Sequence, residues 1–272
     1  MKPIQNLHTH TTYCDGKDTP EQMIKAAIDK GFKSIGFSGH SCVTFDEVSS
    51  MSPQGMEQYK KEIRELAERY KDKIEVFCGI EYDFYSDFDI SDFDYSIGSV
   101  HALKIGNEFF GVDHSMDSSI KLIKEHFGGD GLAFARAYYE TLAKLPERGS
   151  FDIIGHFDLV TKYRDRVAFF DEESKKYTDM ALEAVSALAG KIPFFEVNTG
   201  AIGRGYRTTP YPDAFLVKEL KRQGFGAVIT SDCHNSEWLG VGYDKAVELL
   251  SSCGYKEIYI LTKDGFKPTP IK

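Results

Sequence analysis

Histidine and carboxylate side chains recur where buried strands are expected to end, and these residue types suit metal binding. His8 and His10 form a His-x-His pair at the end of the first predicted strand, whose two-residue period points both side chains to one face. Six of the eight histidines and three carboxylates stand at or just after such an end. These nine residues are His8, His10, Asp15, His40, Glu81, His101, His156, Asp232 and His234.

Nine such side chains in one pocket would bind more than one ion. Imidazole nitrogens mixed with carboxylate oxygens suit zinc, manganese or iron, whereas magnesium and calcium prefer oxygen ligands alone. A catalytic zinc ion typically takes about three protein ligands and keeps one position open. The ligand set therefore predicts two or three divalent metal ions, drawn from zinc, manganese and iron.

The placement of the whole set carries this interpretation, because a single histidine at a strand end is most often an ordinary hydrogen-bonded residue. His114 and His126 lack that placement. His114 lies in a loop, and His126 lies late in a predicted helix, where it interacts favourably with the helix dipole. We therefore expect both to lie outside the site.

Predicted strands and helices alternate along the chain, which is the pattern of βα units around a largely parallel sheet. The predicted strands are residues 4–10, 33–37, 74–81, 95–100, 153–156, 194–198, 227–230 and 257–261. The predicted helices are residues 20–30, 56–70, 117–127, 131–145, 172–188, 212–223 and 241–252. In a barrel of parallel strands the carboxyl ends converge on one mouth, so the nine side chains would share a pocket.

No repeat or proline-rich linker interrupts this alternation, so we expect residues 1–272 to form one domain. The two least regular stretches, residues 41–55 and 158–171, each follow a predicted strand end and are candidate active-site loops.

Charge and hydropathy limit the classes of partner. The formal net charge is -9, whereas nucleic-acid binders usually carry a basic stripe, so we expect no nucleic-acid partner. No apolar run has the length of a membrane helix, and the first residues lack a signal-peptide pattern, so we expect a cytoplasmic protein. The five scattered cysteines lack CxxC spacing and indicate free thiols.

Taken together, the motifs resemble the polymerase and histidinol phosphatase (PHP) superfamily. The motifs that carry the resemblance span nearly the whole chain and are LHTHTTYCDG, FSGH, GIEYDF, SVH, GHFD and SDCH. Within the superfamily the chain is most similar to the stand-alone histidinol-phosphate phosphatases, which share its length and an EVNTG segment followed by an arginine. The resemblance implies an α/β fold, a distorted seven-stranded (β/α) barrel of the TIM-like kind, with a trinuclear metal centre.

The resemblance also implies how the ligands are divided among the ions. The first ion would be held by His8, His10, Glu81 and Asp232. Glu81 would bridge to a second ion held by His101 and His156. The third ion would be held by Asp15, His40 and His234. Many family members have histidine where Asp15 stands, so the third site departs from the family pattern.

Hydrolysis of a phosphate monoester suits such a centre, because metal-bound water becomes a nucleophile near neutral pH and the ions neutralise developing charge. The expected catalytic residues are Glu81, Asp232 and His234, and the sequence leaves open which group protonates the leaving alcohol. Basic residues should bind the phosphate, since a guanidinium matches two phosphate oxygens. Arg204 is the first candidate, followed by Arg207 and by Arg164 in the loop at 158–171.

The resemblance favours a histidinol-phosphate phosphatase that releases L-histidinol and phosphate in histidine biosynthesis. Three alternatives remain: a related phosphoesterase acting on a nucleotide or sugar phosphate, a 3′ exonuclease-like module, and a metal-binding protein without catalysis. The acidic net charge and the absence of a polymerase region argue against the nuclease, and the complete ligand set argues against a decayed site. The sequence does not fix the oligomeric state.

Overall fold

The structure is a computed structural model that describes residues 4–271. The strands are β1 (Gln5–Asn6), β2 (Ser34–Phe37), β3 (Glu75–Asp83), β4 (Tyr95–Ser99), β5 (Ala102–Ile105), β6 (Glu108–Gly111), β7 (Ile153–Ile154), β8 (Phe194–Asn198), β9 (Gly226–Thr230), β10 (Glu257–Thr262) and β11 (Gly265–Pro270). The helices are α1 (Pro20–Asp29), α2 (Pro53–Tyr70), α3 (Met116–His126), α4 (Gly131–Leu142), α5 (Lys175–Leu188), α6 (Gly200–Gly203), α7 (Ala214–Arg222) and α8 (Tyr243–Ser252). Short 3-10 turns cover Leu145–Glu147 and Leu159–Thr161.

Seven of these strands form one parallel sheet in the order β1-β2-β3-β4-β7-β8-β9. The sheet nearly closes between its first and last strands. A parallel bridge joins Thr9 to Cys233, and the backbone N–H of His10 donates to the carbonyl of Cys233 at 3.0 Å. The expected seven-stranded (β/α) barrel is confirmed.

The barrel is filled by a tight apolar cluster in which Tyr95 contacts several strands. Its hydroxyl donates to the carbonyl of Leu7 and, at 3.0 Å, to the carbonyl of Phe37. Gly79 leaves room for this ring, because a Cβ there would lie 2.3 Å from Tyr95 Cε1. The strand backbones can therefore converge closely around one tyrosine.

The hairpin of β10 and β11 covers the amino-terminal end of the barrel. Gln5, the first residue of β1, exchanges hydrogen bonds with the backbone of Leu261 at 2.8 Å in both directions. Phe194, the first residue of β8, packs against Tyr259 and Phe266. The predicted strand at 257–261 therefore exists, but it pairs with β11 outside the barrel. The opposite end of the barrel carries the chemistry.

Helix ends follow the local signals of the sequence. Thr19 caps α1 in a capping box with Gln22, and Pro20 occupies the first turn, where its missing N–H is harmless. Gly31 follows the same helix with a φ of 80°, a conformation that favours glycine. No helix within residues 4–271 is long and apolar enough to span a membrane. The five cysteines are free thiols, none of them paired within that range.

The antiparallel hairpin of β5 and β6 was not expected from the sequence, and it matters for the site. It begins directly after His101 and turns at Gly106 and Asn107, a two-residue pair typical of tight hairpins. Gly106 has a φ of 62°, which such a turn requires. The hairpin extends the wall of the barrel mouth beyond the end of β4.

Candidate metal centre

All nine predicted ligands meet at the carboxyl ends of the barrel strands, beside a cavity of about 600 Å³. Seven of them line the cavity: Asp15, His40, Glu81, His101, His156, Asp232 and His234. The other two, His8 and His10, are fully buried and contact Glu81 from below. The convergence predicted from strand ends is thus present in the structure.

Glu81 lies at the centre of the cluster, where its two oxygens face different imidazoles. Its Oε2 atom is 3.0 Å from His40 Nδ1 and 3.2 Å from His8 Nε2. Its Oε1 atom is 3.0 Å from His156 Nε2 and 3.2 Å from His101 Nε2. A carboxylate so placed can serve two ions at once.

Asp232 contributes from the loop after β9. Its Oδ1 atom lies 3.4 Å from His10 Nε2, 3.6 Å from His234 Nδ1 and 3.8 Å from His8 Nε2. The residue has a φ of 41°, a region that residues other than glycine rarely adopt. Strain of this kind is typical of residues held in place for function.

Asp15 forms the outer side of the cluster. Its Oδ2 atom is 3.2 Å from His234 Nε2, and its Oδ1 atom is 3.5 Å from His10 Nδ1 and 3.7 Å from His40 Nε2. The carboxylate at this position therefore reaches His40 and His234, which the resemblance assigns to the third ion, and also His10, which it assigns to the first.

Ligand atoms of eight of the nine residues, all but His156, fall into three overlapping groups, and within each group they lie within 4.8 Å of one another. The groups are His10, Asp15, His40 and His234; His8, His10 and Asp232; and His40, Glu81 and His101. They agree with the expected division in part, but His10 and His40 each belong to two groups. The structure brings the nine residues together without assigning each to a single ion.

Several of these atoms are buried without a partner, which tests whether the set suits a cation. His8 Nε2, His10 Nε2 and Glu81 Oε2 have no hydrogen-bond partner among residues 4–271. Leaving buried polar atoms unpaired costs roughly 1–3 kcal/mol each, so native proteins rarely do it. Two nitrogens and one carboxylate oxygen facing a common point fit a divalent metal ion.

The protonation states of His10 and Glu81 favour metal binding as well, whereas nearby carboxylates outweigh burial and raise the pKa of His8, His40 and His101, so a metal ion would displace a proton from those rings. Burial lowers the pKa of His10 to about 3, so its imidazole is neutral at physiological pH. Burial raises the pKa of Glu81, but the imidazoles of His8, His101 and His40 outweigh it and hold that pKa well below its usual range. Glu81 is therefore ionised, and metal binding requires a neutral imidazole and an ionised carboxylate.

Two further carboxylates, which were not predicted from the sequence, contact ligand histidines at the ring nitrogen that faces away from Glu81. Asp83 Oδ2 accepts from the backbone N–H of His101 at 3.1 Å and lies 3.3 Å from His101 Nδ1. Glu196 Oε2 lies 2.8 Å from His8 Nδ1. The signal available was a carboxylate at or near the carboxyl end of a strand, since Asp83 ends β3 and Glu196 lies two residues before the end of β8.

Arg204 reaches the cavity, as expected from its place after β8. Its Nη1 donates to the carbonyl of Asp232 at 2.9 Å and lies 3.1 Å from His234 Nδ1. Its Nη2 lies 3.1 Å from Asp232 Oδ2. The guanidinium is therefore held at the edge of the ligand cluster.

The other two arginines are not brought to the cavity, which corrects the expectation for Arg207 and Arg164. Arg207 is buried and donates to Thr161 Oγ1 at 2.6 Å and to Asp213 Oδ1 at 3.2 Å. Arg164 pairs with Glu172 and Asp213. Neither is among the described residues that line the cavity. Both guanidiniums already have carboxylate partners, so they hold the loops together.

The loop at 158–171 nevertheless supplies a cation, Lys162, which sequence reasoning passed over. Lys162 follows the 3-10 turn at Leu159–Thr161, lines the cavity and places Nζ 2.7 Å from Asp113 Oδ2. The tight turn sets which side chain faces inward, and sequence alone did not reveal that turn.

The outer part of the cavity is lined by residues from the loop at 41–55, the β5–β6 hairpin and α3, including Phe45, Phe109, Phe110, His114 and His126. The expectation that His114 and His126 lie outside the site is thus corrected, because both line this outer wall. His126 packs on Phe110 with ring centroids 4.2 Å apart. The unpredicted hairpin is what places α3 beside the mouth.

Comparison with known proteins gives matches over most of the chain. The PHP domain model matches residues 6–200. The histidinol-phosphatase of Bacillus subtilis is 26% identical over 270 residues, covering 89% of this chain and 97% of that protein. The probable histidinol-phosphatase of Schizosaccharomyces pombe is 25% identical over 285 residues, covering 96% and 90%. A crystal structure of histidinol phosphate phosphatase from Lactococcus lactis, complexed with zinc, L-histidinol and phosphate, matches with a TM-score of 0.73 at 22% identity, covering 97% of this chain and 98% of that one.

Proposed function

Since this chain belongs to the PHP domain family, we propose that it is a histidinol-phosphatase, a phosphoric monoester hydrolase that releases L-histidinol and phosphate from histidinol phosphate in histidine biosynthesis. The observation that carries the proposal is the meeting of the nine predicted metal ligands, seven of which line one cavity together with Arg204 and Lys162. The relatives in Bacillus subtilis and Schizosaccharomyces pombe, which match over nearly their whole lengths, support the choice of substrate.

We propose two or three divalent ions, drawn from zinc, manganese and iron, with zinc supported by the Lactococcus lactis complex. When bound, the ions supply an activated water and neutralise charge on the phosphoryl oxygens. The nine ligands of this chain hold them, with Glu81 facing two groups of imidazoles through its two oxygens.

Arg204 and Lys162 are the proposed phosphate-binding residues. Each lines the cavity and carries a fixed positive charge whose direction is set by a neighbouring carboxylate, Asp232 for the arginine and Asp113 for the lysine. Donors held in advance cost little to organise during the reaction. They would stabilise phosphoryl oxygens that do not contact metal.

Glu81, Asp232 and His234 are the proposed catalytic residues. Asp232 and His234 each lie 3.1 Å from a terminal nitrogen of Arg204, so both stand beside a phosphate-binding group. Burial raises the pKa of Asp232, but Arg204 and His8 outweigh it and hold that pKa well below its usual range. Asp232 would therefore act as an ionised ligand, and His234 would be the group that protonates the leaving alkoxide.

The outer wall suits the histidinol part of the substrate. Phe110 and His126 offer ring faces for an imidazole, and Asp46 and Glu125 on the same wall offer negative charge for an ammonium group. The cavity of about 600 Å³ has room for this leaving group beyond the ligand cluster.

The succession of βα units from β1 to β9 around one barrel also supports a single domain over residues 1–272.

A substrate panel tests the proposal. Purified protein loaded with zinc, manganese or iron is assayed with histidinol phosphate, nucleoside monophosphates, sugar phosphates and a generic monoester. We expect kcat/KM for histidinol phosphate to exceed the others by about 100-fold or more, because the site would hydrogen-bond groups that the others lack. Preference for a nucleotide would favour a related phosphoesterase, and silence with verified metal content would reject hydrolysis.

A further inference from the structure

We propose that Glu196 is a positioning residue that fixes the tautomer and direction of His8, so that His8 offers Nε2 to the metal centre. The proposal rests on the proposed metal centre, but not on the identity of the substrate. Glu196 is fully buried and is not among the described residues that line the cavity, so it does not act on substrate directly.

Each oxygen of Glu196 receives two hydrogen bonds. Oε1 accepts from the backbone N–H of His156 at 2.7 Å and from Asn198 Nδ2 at 2.8 Å. Oε2 accepts from Thr230 Oγ1 at 2.7 Å and lies 2.8 Å from His8 Nδ1. The backbone N–H and the amide NH2 can only donate, and the Thr230 hydroxyl also donates, so both carboxylate oxygens act as acceptors.

The contact with His8 determines which ring nitrogen can bind metal. An ionised carboxylate only accepts hydrogen bonds, so His8 Nδ1 must carry a proton. In the neutral ring the lone pair then lies on Nε2. That atom faces Glu81 Oε2 at 3.2 Å and has no hydrogen-bond partner among residues 4–271. Histidine ligands generally donate their second nitrogen in this way.

The same carboxylate joins four barrel strands under the ligand cluster. His8 follows β1, His156 follows β7, Asn198 ends β8 and Thr230 ends β9. Glu196 therefore sets the position of two proposed ligands, one through its side chain and one through its backbone. Removing the Glu196 carboxylate would therefore weaken metal binding.

Replacing Glu196 with glutamine separates positioning from packing, because the amide has nearly the same shape. Asn198 cannot turn its oxygen towards residue 196, since that oxygen accepts from the backbone N–H of Gly200 at 2.8 Å. The amide oxygen of the glutamine must therefore face the His156 and Asn198 donors. Its NH2 group would then donate to His8 Nδ1 and drive the proton onto Nε2, which disables the ligand.

The matched control is Thr230→Val, which removes a hydrogen bond from the same carboxylate oxygen and keeps side-chain volume. Zinc affinity and stoichiometry of metal-free wild type, Glu196→Gln and Thr230→Val are measured by calorimetry with a competing chelator. We expect Glu196→Gln to lose about 10- to 100-fold in affinity at one site, and Thr230→Val to stay within about threefold. Unchanged zinc affinity in Glu196→Gln, or equal losses in both variants, overturns the proposal.

A second measurement keeps the test decisive if Glu196→Gln does not fold. Histidine-selective nitrogen NMR of the zinc-loaded wild type reports which nitrogen of each ring carries a proton, with His8 assigned from the signal lost in His8→Asn. We expect His8 to be protonated at Nδ1 and bound through Nε2, and binding through Nδ1 overturns the proposal. Neither readout uses phosphatase activity, so failure of the substrate panel would leave this inference standing.

Discussion

Arg204 forms two hydrogen bonds with Asp232, donating to its backbone carbonyl at 2.9 Å and to its Oδ2 atom at 3.1 Å. One residue is a proposed metal ligand and the other a proposed phosphate-binding group, so the metal centre itself holds the arginine in place. A guanidinium held in this way can meet two phosphate oxygens without first losing conformational freedom.

Arg204→Ala should therefore lower kcat/KM for histidinol phosphate. The corresponding loss of transition-state stabilisation should be about 2 to 4 kcal/mol. Arg204→Lys should recover part of this, because lysine keeps the charge but loses the planar fork. Arg166→Ala is the control, since Arg166 bonds the carbonyl of Gly205 and is not among the described cavity residues. Steady-state kinetics with metal content measured in parallel decide it. If Arg204→Ala keeps the kcat/KM of the wild type, Arg204 does not bind the phosphate and Lys162 becomes the candidate.

Chelation should abolish activity, and zinc, manganese or iron should restore it, with magnesium a poor replacement for mixed nitrogen and oxygen ligands. Metal should also stabilise the fold, because His8 Nε2, His10 Nε2 and Glu81 Oε2 are buried without a hydrogen-bond partner in the described part of the chain. At 100 times Kd a bound ion contributes about 2.7 kcal/mol. Activity and thermal unfolding are measured with and without chelator. Undiminished turnover after verified metal removal would exclude the mechanism.

Glu81→Ala should lower metal stoichiometry and should reduce turnover by more than about 100-fold. That exceeds the loss usually seen when a residue that only hydrogen-bonds to a metal ligand is replaced. The reason is that both oxygens of Glu81 face imidazoles. His114→Ala, at the outer wall, should keep the metal content of the wild type. Metal analysis of the purified variants provides the measurement. Equal metal loss at the two positions would contradict the central role of Glu81.

Short-range patterns predicted the parallel βα units and the ligand cluster at the strand ends, whereas the seven-stranded barrel was implied by the family resemblance. The two-residue period of the predicted first strand indicated that His8 and His10 point to one side, and both contact Glu81 although β1 ends at Asn6. Parallel topology brings the strand ends together whatever the loops do. The outer wall was not predictable in the same way. His126 reaches the cavity only because the β5–β6 hairpin brings α3 to the mouth, and the pair Gly106 and Asn107 was its only local signal.

The phosphate-binding residues show the same limit. Arg164, Arg207 and Lys162 have similar positions relative to strand ends, so spacing cannot rank them. The directions of these side chains depend on partners far away in sequence. Asp213 forms ion pairs with both arginines, and Asp113 pairs with Lys162 beside the cavity. Glu196 was missed because its role lies in contacts with residues far away in sequence.

Asp158, buried beside Arg207, should give stability a distinctive pH dependence. Burial raises the pKa of Asp158 from 3.8 to about 6, and Asp213 adds to this while Arg207 opposes it. The folded protein thus keeps a proton that the unfolded chain releases. The stability of the wild type relative to Asp158→Asn should fall as pH rises from about 4 to about 6, and should be level above that range.

Urea unfolding of both metal-free proteins across this pH range measures the difference, and the chelator removes any contribution from metal binding. A difference that is constant with pH would show that folding does not shift the pKa of Asp158, and one that grows in favour of the wild type as pH rises would show that folding lowers this pKa; either result contradicts the prediction.

The outer wall should determine which alcohol is released. Phe110 packs on His126 and lines the cavity, so Phe110→Ala removes a ring face for the imidazole of histidinol. We expect KM for histidinol phosphate to rise by about 3- to 10-fold, the range for losing one aromatic contact, with kcat changed little. A small aliphatic phosphate, which does not reach this wall, should show no change in KM. Phe266→Ala, at the opposite end of the barrel, is the matched control for loss of a phenyl ring. If both substrates are affected equally by Phe110→Ala, or if Phe266→Ala has the same effect, the outer wall does not recognise the leaving group.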